Sequence, residues 1–131
     1  MTKRKNSRQK SWEELGCTGT HYVTPNGLDA NEHYTTAKEL CTIASYAIQN
    51  EKFLKIIQTP SHRFSNCDGT RSYSVRNHDA FLTSYSGAIG IKTGFTGKAG
   101  YCFCGAARRD GKTLITSVLA CGWPPHKGYK W

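Results

Sequence analysis

Residues 90–100 read GIKTGFTGKAG. Ile89 and Ile91 alternate into Lys92, which is the period of a strand with one face turned to the core. Lys92, Thr93 and Gly94 then stand together. A lysine can hold an anion, and the neighbouring threonine hydroxyl can hydrogen-bond the same group. Gly94 has no side chain, so the backbone of a ligand can come close. The competing reading of Lys92 is an edge-strand lysine that discourages aggregation. The Lys-Thr dipeptide also recurs at Lys112-Thr113, so the triplet alone is a weak signal.

Downstream of this stretch, AGYCFCGAARRDG and KTLITSVLACG are rich in strand formers and are joined at Arg109-Asp110-Gly111, a hairpin turn. Upstream, SHRFSNCDGTRSYSVRN alternates around Cys67-Asp68-Gly69, which predicts another hairpin. Residues 78–86 read as a short helical or irregular link. Residues 35–50 carry the clearest helix. Thr36 and Glu39 have capping-box spacing, and Leu40, Ile43, Ala44, Ala47 and Ile48 follow at helical period. A second helix is expected over 51–58, stopped by Thr59-Pro60. Residues 17–34 are rich in Thr, Asn, Gly and Pro and predict an irregular loop with a turn at Pro25-Asn26-Gly27. Trp12 and Leu15 look like the end of a helix stopped by Gly16. Helices first and antiparallel strands afterwards give an α+β class, with helices packed on a meander. The closing GWPPHKGYKW reads as an extended tail.

The 131 residues suit one domain at most, and no apolar run is long enough to span a bilayer. MTKRKNSRQK has the charge of a signal-peptide start, but SWEELG follows where an apolar stretch is needed, so no export signal is read here. Residues 1–11 are expected to form a basic segment and 12–131 the domain. Eighteen Lys+Arg face nine Asp+Glu, a net charge of +9 that suits polyanions: nucleic acid, anionic lipid or an acidic wall polymer. No basic-aromatic reader motif supports nucleic acid as the partner. The six cysteines invite a disulfide framework, yet most lie in apolar patterns, and Cys102 and Cys104 share a strand face; buried or free thiols are the favoured reading. No C-x-x-C or paired histidine spacing points to a metal, and His21, His33, His62, His78 and His126 read as loop or surface residues.

Several separated stretches together resemble the D-alanyl-D-alanine carboxypeptidases, the low-molecular-weight penicillin-binding proteins of the serine β-lactamase-like family. They are ELGCTGTHYVTPNGLDANEHYTTAKELCTIASYAIQN, RNHDAFL, SGAIGIKTGFTGKAGYCFCGAARRDGKTLI and GWPPHKGYKW. K-T-G is one of the three sequence motifs of such enzymes. The resemblance implies an antiparallel sheet flanked by helices, the penicillin-binding-protein transpeptidase-like fold, here incomplete. It implies a serine that attacks the D-Ala-D-Ala amide of a peptidoglycan stem peptide through an acyl-enzyme, with β-lactams as inhibitors. By the same resemblance Lys92, Thr93 and Gly94 are the K-T-G that helps bind the substrate carboxylate. Phe95 lies on the strand along which substrate aligns by β-augmentation. Arg76 matches an arginine that contributes to the carboxylate site. No cofactor is implied, and a cell-envelope or extracellular location is.

The nucleophile is expected in S-x-x-K on a buried helix, where the lysine can be desolvated into a base. Ser7-Arg8-Gln9-Lys10 has that spacing, but it sits in a cationic cluster at the wrong place in the motif order. No S-x-N occurs where one is needed: Ser65-Asn66 is too short, and Ser74-Val75-Arg76-Asn77 is too long. The chain is therefore expected to be part of a longer catalytic domain, with the remaining N-terminal half as its partner. On its own it is expected to be inactive and prone to associate. A non-catalytic peptidoglycan-binding remnant is the alternative.

Overall fold

The computed structural model describes residues 12–122. Residues 12–14 form a helical turn. Gly16 ends it in the left-handed region at φ 76°, and the Cys17 amide closes back onto the Trp12 carbonyl at 3.0 Å. The basic segment, the S-R-Q-K spacing, His126 and the closing tail lie outside the described residues.

Helix α1 runs Ala37–Ala47, capped by the Thr36 hydroxyl, which accepts from the Glu39 amide at 3.1 Å. Its apolar face buries Ile43, Ala44 and the C-cap Ile48. Helix α2, Glu51–Ile57, follows directly because the Asn50 side chain caps both Lys52 and Phe53. Strands β1 (Ser61–Ser65) and β2 (Ser72–Arg76) pair as the expected hairpin. Helix α3, Ala80–Ser84, is capped by Asp79. Strands β3 (Ala88–Thr96), β4 (Gly100–Arg109) and β5 (Lys112–Cys121) then form an antiparallel sheet in the order β3-β4-β5.

The expected meander is thus β3 to β5 alone, and β1–β2 is a separate ribbon. Every residue of β1 and β2 is exposed, so its alternation has no core to face. The β4–β5 turn is as read: Asp110 and Gly111 both take positive φ, 50° and 72°, and Arg109 pairs with Lys112. That is the two-residue turn whose twist matches the strands.

The core is small. Ile48, Ile57, Ile89 and Ala106 form its buried centre, with Phe53, Leu54, Ile91 and Ile115 packed around it. Each isoleucine removed from water contributes about 1.5–3 kcal/mol. Gly90 makes this packing possible. It has φ +90°, and a Cβ there would come within 2.9 Å of the Ile57 carbonyl. The β3 bulge falls at the same point, between Ala88 and Gly90. Burial fades outward along the sheet: on β5, Leu114 is 77% exposed.

Candidate functional site

Past the bulge, β3 presents Lys92 opposite Cys104, Thr93 opposite Phe103 and Gly94 opposite Cys102. Cross-strand partners share a face of the sheet. Lys92 therefore lies on the face where Cys104 and Ala106 are buried, and Thr93 on the other. A groove of about 310 Å³ opens along this segment. Its wall combines Leu40, Ile43 and Ala44 of α1, Phe53 of α2, Ile91–Gly94 of β3 and Cys102–Cys104 of β4. An apolar hollow with one cation at its rim is a suitable seat for a ligand that has an apolar body and an anionic end.

The Lys92 ammonium donates to the Thr93 carbonyl and is exposed. Gly94 has open space above it, with nothing within 4 Å of where a Cβ would be. Phe95, 43% exposed, packs on Tyr101 with ring centroids 4.5 Å apart. The buried thiols offer no substitute nucleophile. Burial, with Cys41 nearby, pushes Cys104 up to about 11. Burial, with Glu39 beside it, pushes Cys17 up as well. A protonated thiol is a poor nucleophile. All six cysteines are free.

Two contacts anchor the long loop, one to β3 and one to α1, and neither was legible in the sequence. The Thr96 hydroxyl donates to Asp29 at 2.7 Å and accepts from the Ala99 amide at 3.0 Å. This fixes the turn that follows K-T-G to the loop at 17–34. At the other end of the loop, Glu39 accepts from the Gly19 amide at 2.8 Å and from the Thr20 hydroxyl. Those bonds, the Thr20 hydroxyl first and the Gly19 amide next, hold the Glu39 carboxyl below its ordinary range. The capping-box spacing singled out Glu39, but its carboxylate serves the loop while Thr36 caps the helix.

Arg76 belongs to the β1–β2 ribbon, whereas Lys92 belongs to the three-stranded sheet. Arg76 ends β2 and lines a second hollow, with Lys55 and His62, that shares no lining residue with the groove beside K-T-G. The next residue in RNHDAFL is structural. The Asn77 side chain donates to the carbonyls of Ile57 and Thr59 at 3.2 and 3.4 Å and accepts from the Asp79 amide at 3.0 Å. Asp79 is 4% exposed and caps α3 through one carboxylate oxygen; the other has no hydrogen-bond partner among the described residues. His21 and His33 also serve the loop: His33 Nδ1 accepts from Val23 and Thr24 amides, and the His21 ring contacts the Glu32 carbonyl. Among the described residues no group of His, Cys, Asp and Glu is arranged to hold a metal, and no helix is long and apolar enough to cross a membrane.

A family model described as D-alanyl-D-alanine carboxypeptidase matches residues 6–122. The chain belongs to the D-alanyl-D-alanine carboxypeptidase family. It is 38% identical over 110 residues to the D-alanyl-D-alanine carboxypeptidase of Streptomyces sp. strain K15, covering 81% of this chain and 38% of that one. It is 39% identical over 107 residues to carboxypeptidase DacB2 of Mycobacterium tuberculosis, covering 80% and 36%. The crystal structure of the Streptomyces K15 DD-transpeptidase superposes with a TM-score of 0.79 at 36% identity, over 85% of this chain and 44% of that one. The fold is therefore that of the D-alanyl-D-alanine carboxypeptidases and their transpeptidase relatives. This chain spans well under half the length of the relatives it matches.

Proposed function

We propose that this chain is the substrate-clamping part of a serine D-Ala-D-Ala carboxypeptidase of the cell envelope, the enzyme that trims the terminal D-alanine from peptidoglycan stem peptides. Lys92 and Thr93, from opposite faces of β3, reach round its open edge to the substrate's terminal carboxylate. Phe95 and the open edge at Gly94 align the peptide backbone, and Arg76 adds positive charge at longer range. The serine and its base lysine belong to the part of the domain that corresponds to the remaining length of the relatives. That part seats against the groove. The acyl-enzyme forms when the serine oxygen attacks the amide carbonyl and D-alanine leaves with a proton; water then releases the shortened peptide.

The observation that carries this reading is the continuity of one groove from the apolar face of α1 to Lys92, Thr93 and Gly94. An apolar wall of that kind seats a packed segment, and the cation at its rim faces whatever reaches the end of it. Fluorescent penicillin provides the test. The 131-residue chain alone is expected to remain unlabelled. Co-expression with a family segment carrying S-x-x-K and S-x-N is expected to restore labelling, and Lys92→Ala in that assembly to reduce its rate at least a hundredfold. Labelling of the chain alone, mapped to Ser7, would overturn the assignment of the nucleophile. Binding of D-Ala-D-Ala peptides without labelling in the assembled protein would favour a non-catalytic binding role.

A further inference from the structure

The β1–β2 ribbon has two unlike faces. In its register His62 pairs with Val75 and Phe64 with Tyr73, while arginines and serines pair with one another in between. Cross-strand partners share a face, and so do alternate residues of one strand. His62, Phe64, Tyr73 and Val75 therefore make up one face, and the arginines and serines the other. All of them are exposed. Phe64 keeps 46% of its surface in water, Tyr73 44% and Val75 49%. A contiguous apolar patch of this kind marks a binding surface more than a fold requirement.

The rings of that face are already arranged. The Phe64 ring centre lies 5.4 Å from that of Tyr73 and 6.2 Å from that of His62, with planes 25° and 15° apart. Carbon atoms touch at about 3.5–4.0 Å, so near-parallel rings at these separations are offset like tiles, and part of each ring face stays open. Holding two strands together needs only the cross-strand pair, Phe64 and Tyr73. His62 extends the row beyond that pair. The backbone beneath is set from elsewhere: the Ser65 and Ser72 hydroxyls share a hydrogen bond at 3.0 Å, and Asn66 accepts from the Arg71 amide at 2.7 Å. Little has to be ordered when a ligand arrives. Neither the Tyr73 hydroxyl nor the His62 ring makes a hydrogen bond among the described residues, so both can meet polar groups of a ligand.

We propose that this face is a platform for the glycan strand of peptidoglycan, a β-linked chain of N-acetylated pyranoses. Such a sugar has a C–H-rich face that stacks on an aromatic ring, with hydroxyl and acetamido groups at its rim. Phe64 and Tyr73 take the C–H faces, and the Tyr73 hydroxyl and the His62 ring bond the rim. The register argues against nucleic acid. Stacked bases need their phosphates held by cations beside the rings, and Arg63 is on the opposite face of the ribbon. The choice of this glycan rests on the peptidoglycan reading above, but the platform shares no residue with K-T-G.

Titration of the ¹⁵N-labelled 131-residue chain with N-acetylchitotetraose tests it. This probe has the β-linked amino-sugar backbone and no stem peptide, so its outcome is separate from that of penicillin labelling: either can fail while the other holds. Saturable shifts are expected at amides in 61–65 and 72–76. Phe64→Leu keeps an apolar cross-strand pair but removes a ring, and is expected to weaken binding at least tenfold. Tyr46→Ser removes a lone aromatic of α1 that is 57% exposed, and is expected to change binding less than twofold. If the two variants weaken binding equally, or saturable shifts do not occur, the proposal is overturned. Shifts of the same amides by a thymidine oligonucleotide and not by the tetraose would assign the face to nucleic acid and also overturn it. Should Phe64→Leu lose the ribbon, the unaltered chain decides. Sugar ring protons must then show intermolecular NOEs to the Phe64 and Tyr73 rings, and NOEs confined to Tyr46 or Phe95 would overturn the platform.

Discussion

The two hairpins of this chain are built from similar sequence devices and are held by different forces. In β4–β5, ten-residue strands meet at a two-residue Asp-Gly turn, and Cys104 and Ala106 are buried under the helices. In β1–β2, five-residue strands are exposed throughout. What holds that ribbon is local. Asp68 accepts from the Thr70 amide and hydroxyl, Asn66 accepts from the Arg71 amide at 2.7 Å, and Phe64 stacks on Tyr73. The pair teaches that alternation and turn chemistry specify a hairpin, while its stability depends on what covers it. An isolated two-stranded ribbon is marginal in water.

The largest break in that contrast should come from Gly90→Val. A Cβ at φ +90° against the Ile57 carbonyl forces the bulge and the buried centre apart. A loss of about 3 kcal/mol or more is expected, enough to abolish the dispersed amide spectrum of β3 to β5. Next is Asp79→Ala, which removes the cap of α3 and should cost about 1–2 kcal/mol by urea unfolding. Asp79→Asn keeps the capping oxygen and should cost less. Third is acid. The folded Glu39 carboxyl is held below its ordinary range, so its contribution is present at neutral pH and is lost as pH falls through the folded value. Tm measured from pH 7 down to 3 should fall, and Glu39→Gln should flatten that fall. The smallest effect belongs to Asp68→Ala. Faster hydrogen exchange is expected at the amides of 61–76, with those of β4 and β5 unchanged. If exchange rises across both hairpins, the ribbon is coupled to the core and the contrast fails.

Most of the fold could be read from local signals. The alternation through Ile89 and Ile91, the Asp110-Gly111 turn and the Thr36 cap each act within a few residues, so a sequence window contains them. The separation of the ribbon from the sheet was not legible, because alternating residues look the same whether or not a second layer covers them. The K-T-G strand was legible as a motif, but its groove was not. The groove wall joins Leu40, Phe53 and Cys104, positions brought together only by tertiary packing. Glu39 shows the same limit: spacing pointed to its own helix, and its partners are Gly19 and Thr20, about twenty residues away. Asn77, beside Arg76 in the RNHDAFL stretch, is used up by backbone carbonyls, which the stretch did not announce.

The empty space above Gly94 has a consequence for how this protein could change. Its backbone φ is not in the left-handed region, and no atom lies where a side chain would go. A substitution there has nothing in the fold to disturb, and in the proposed clamp it would stand in the path of the peptide strand. Folding and recognition are uncoupled at this one position, so a variant such as Gly94→Val would pass any screen for solubility or heat resistance. It would be noticed only when a ligand was offered. If the proposed clamp is right, drift or selection acting at Gly94 is free to retune what it admits without first consulting the stability of the chain.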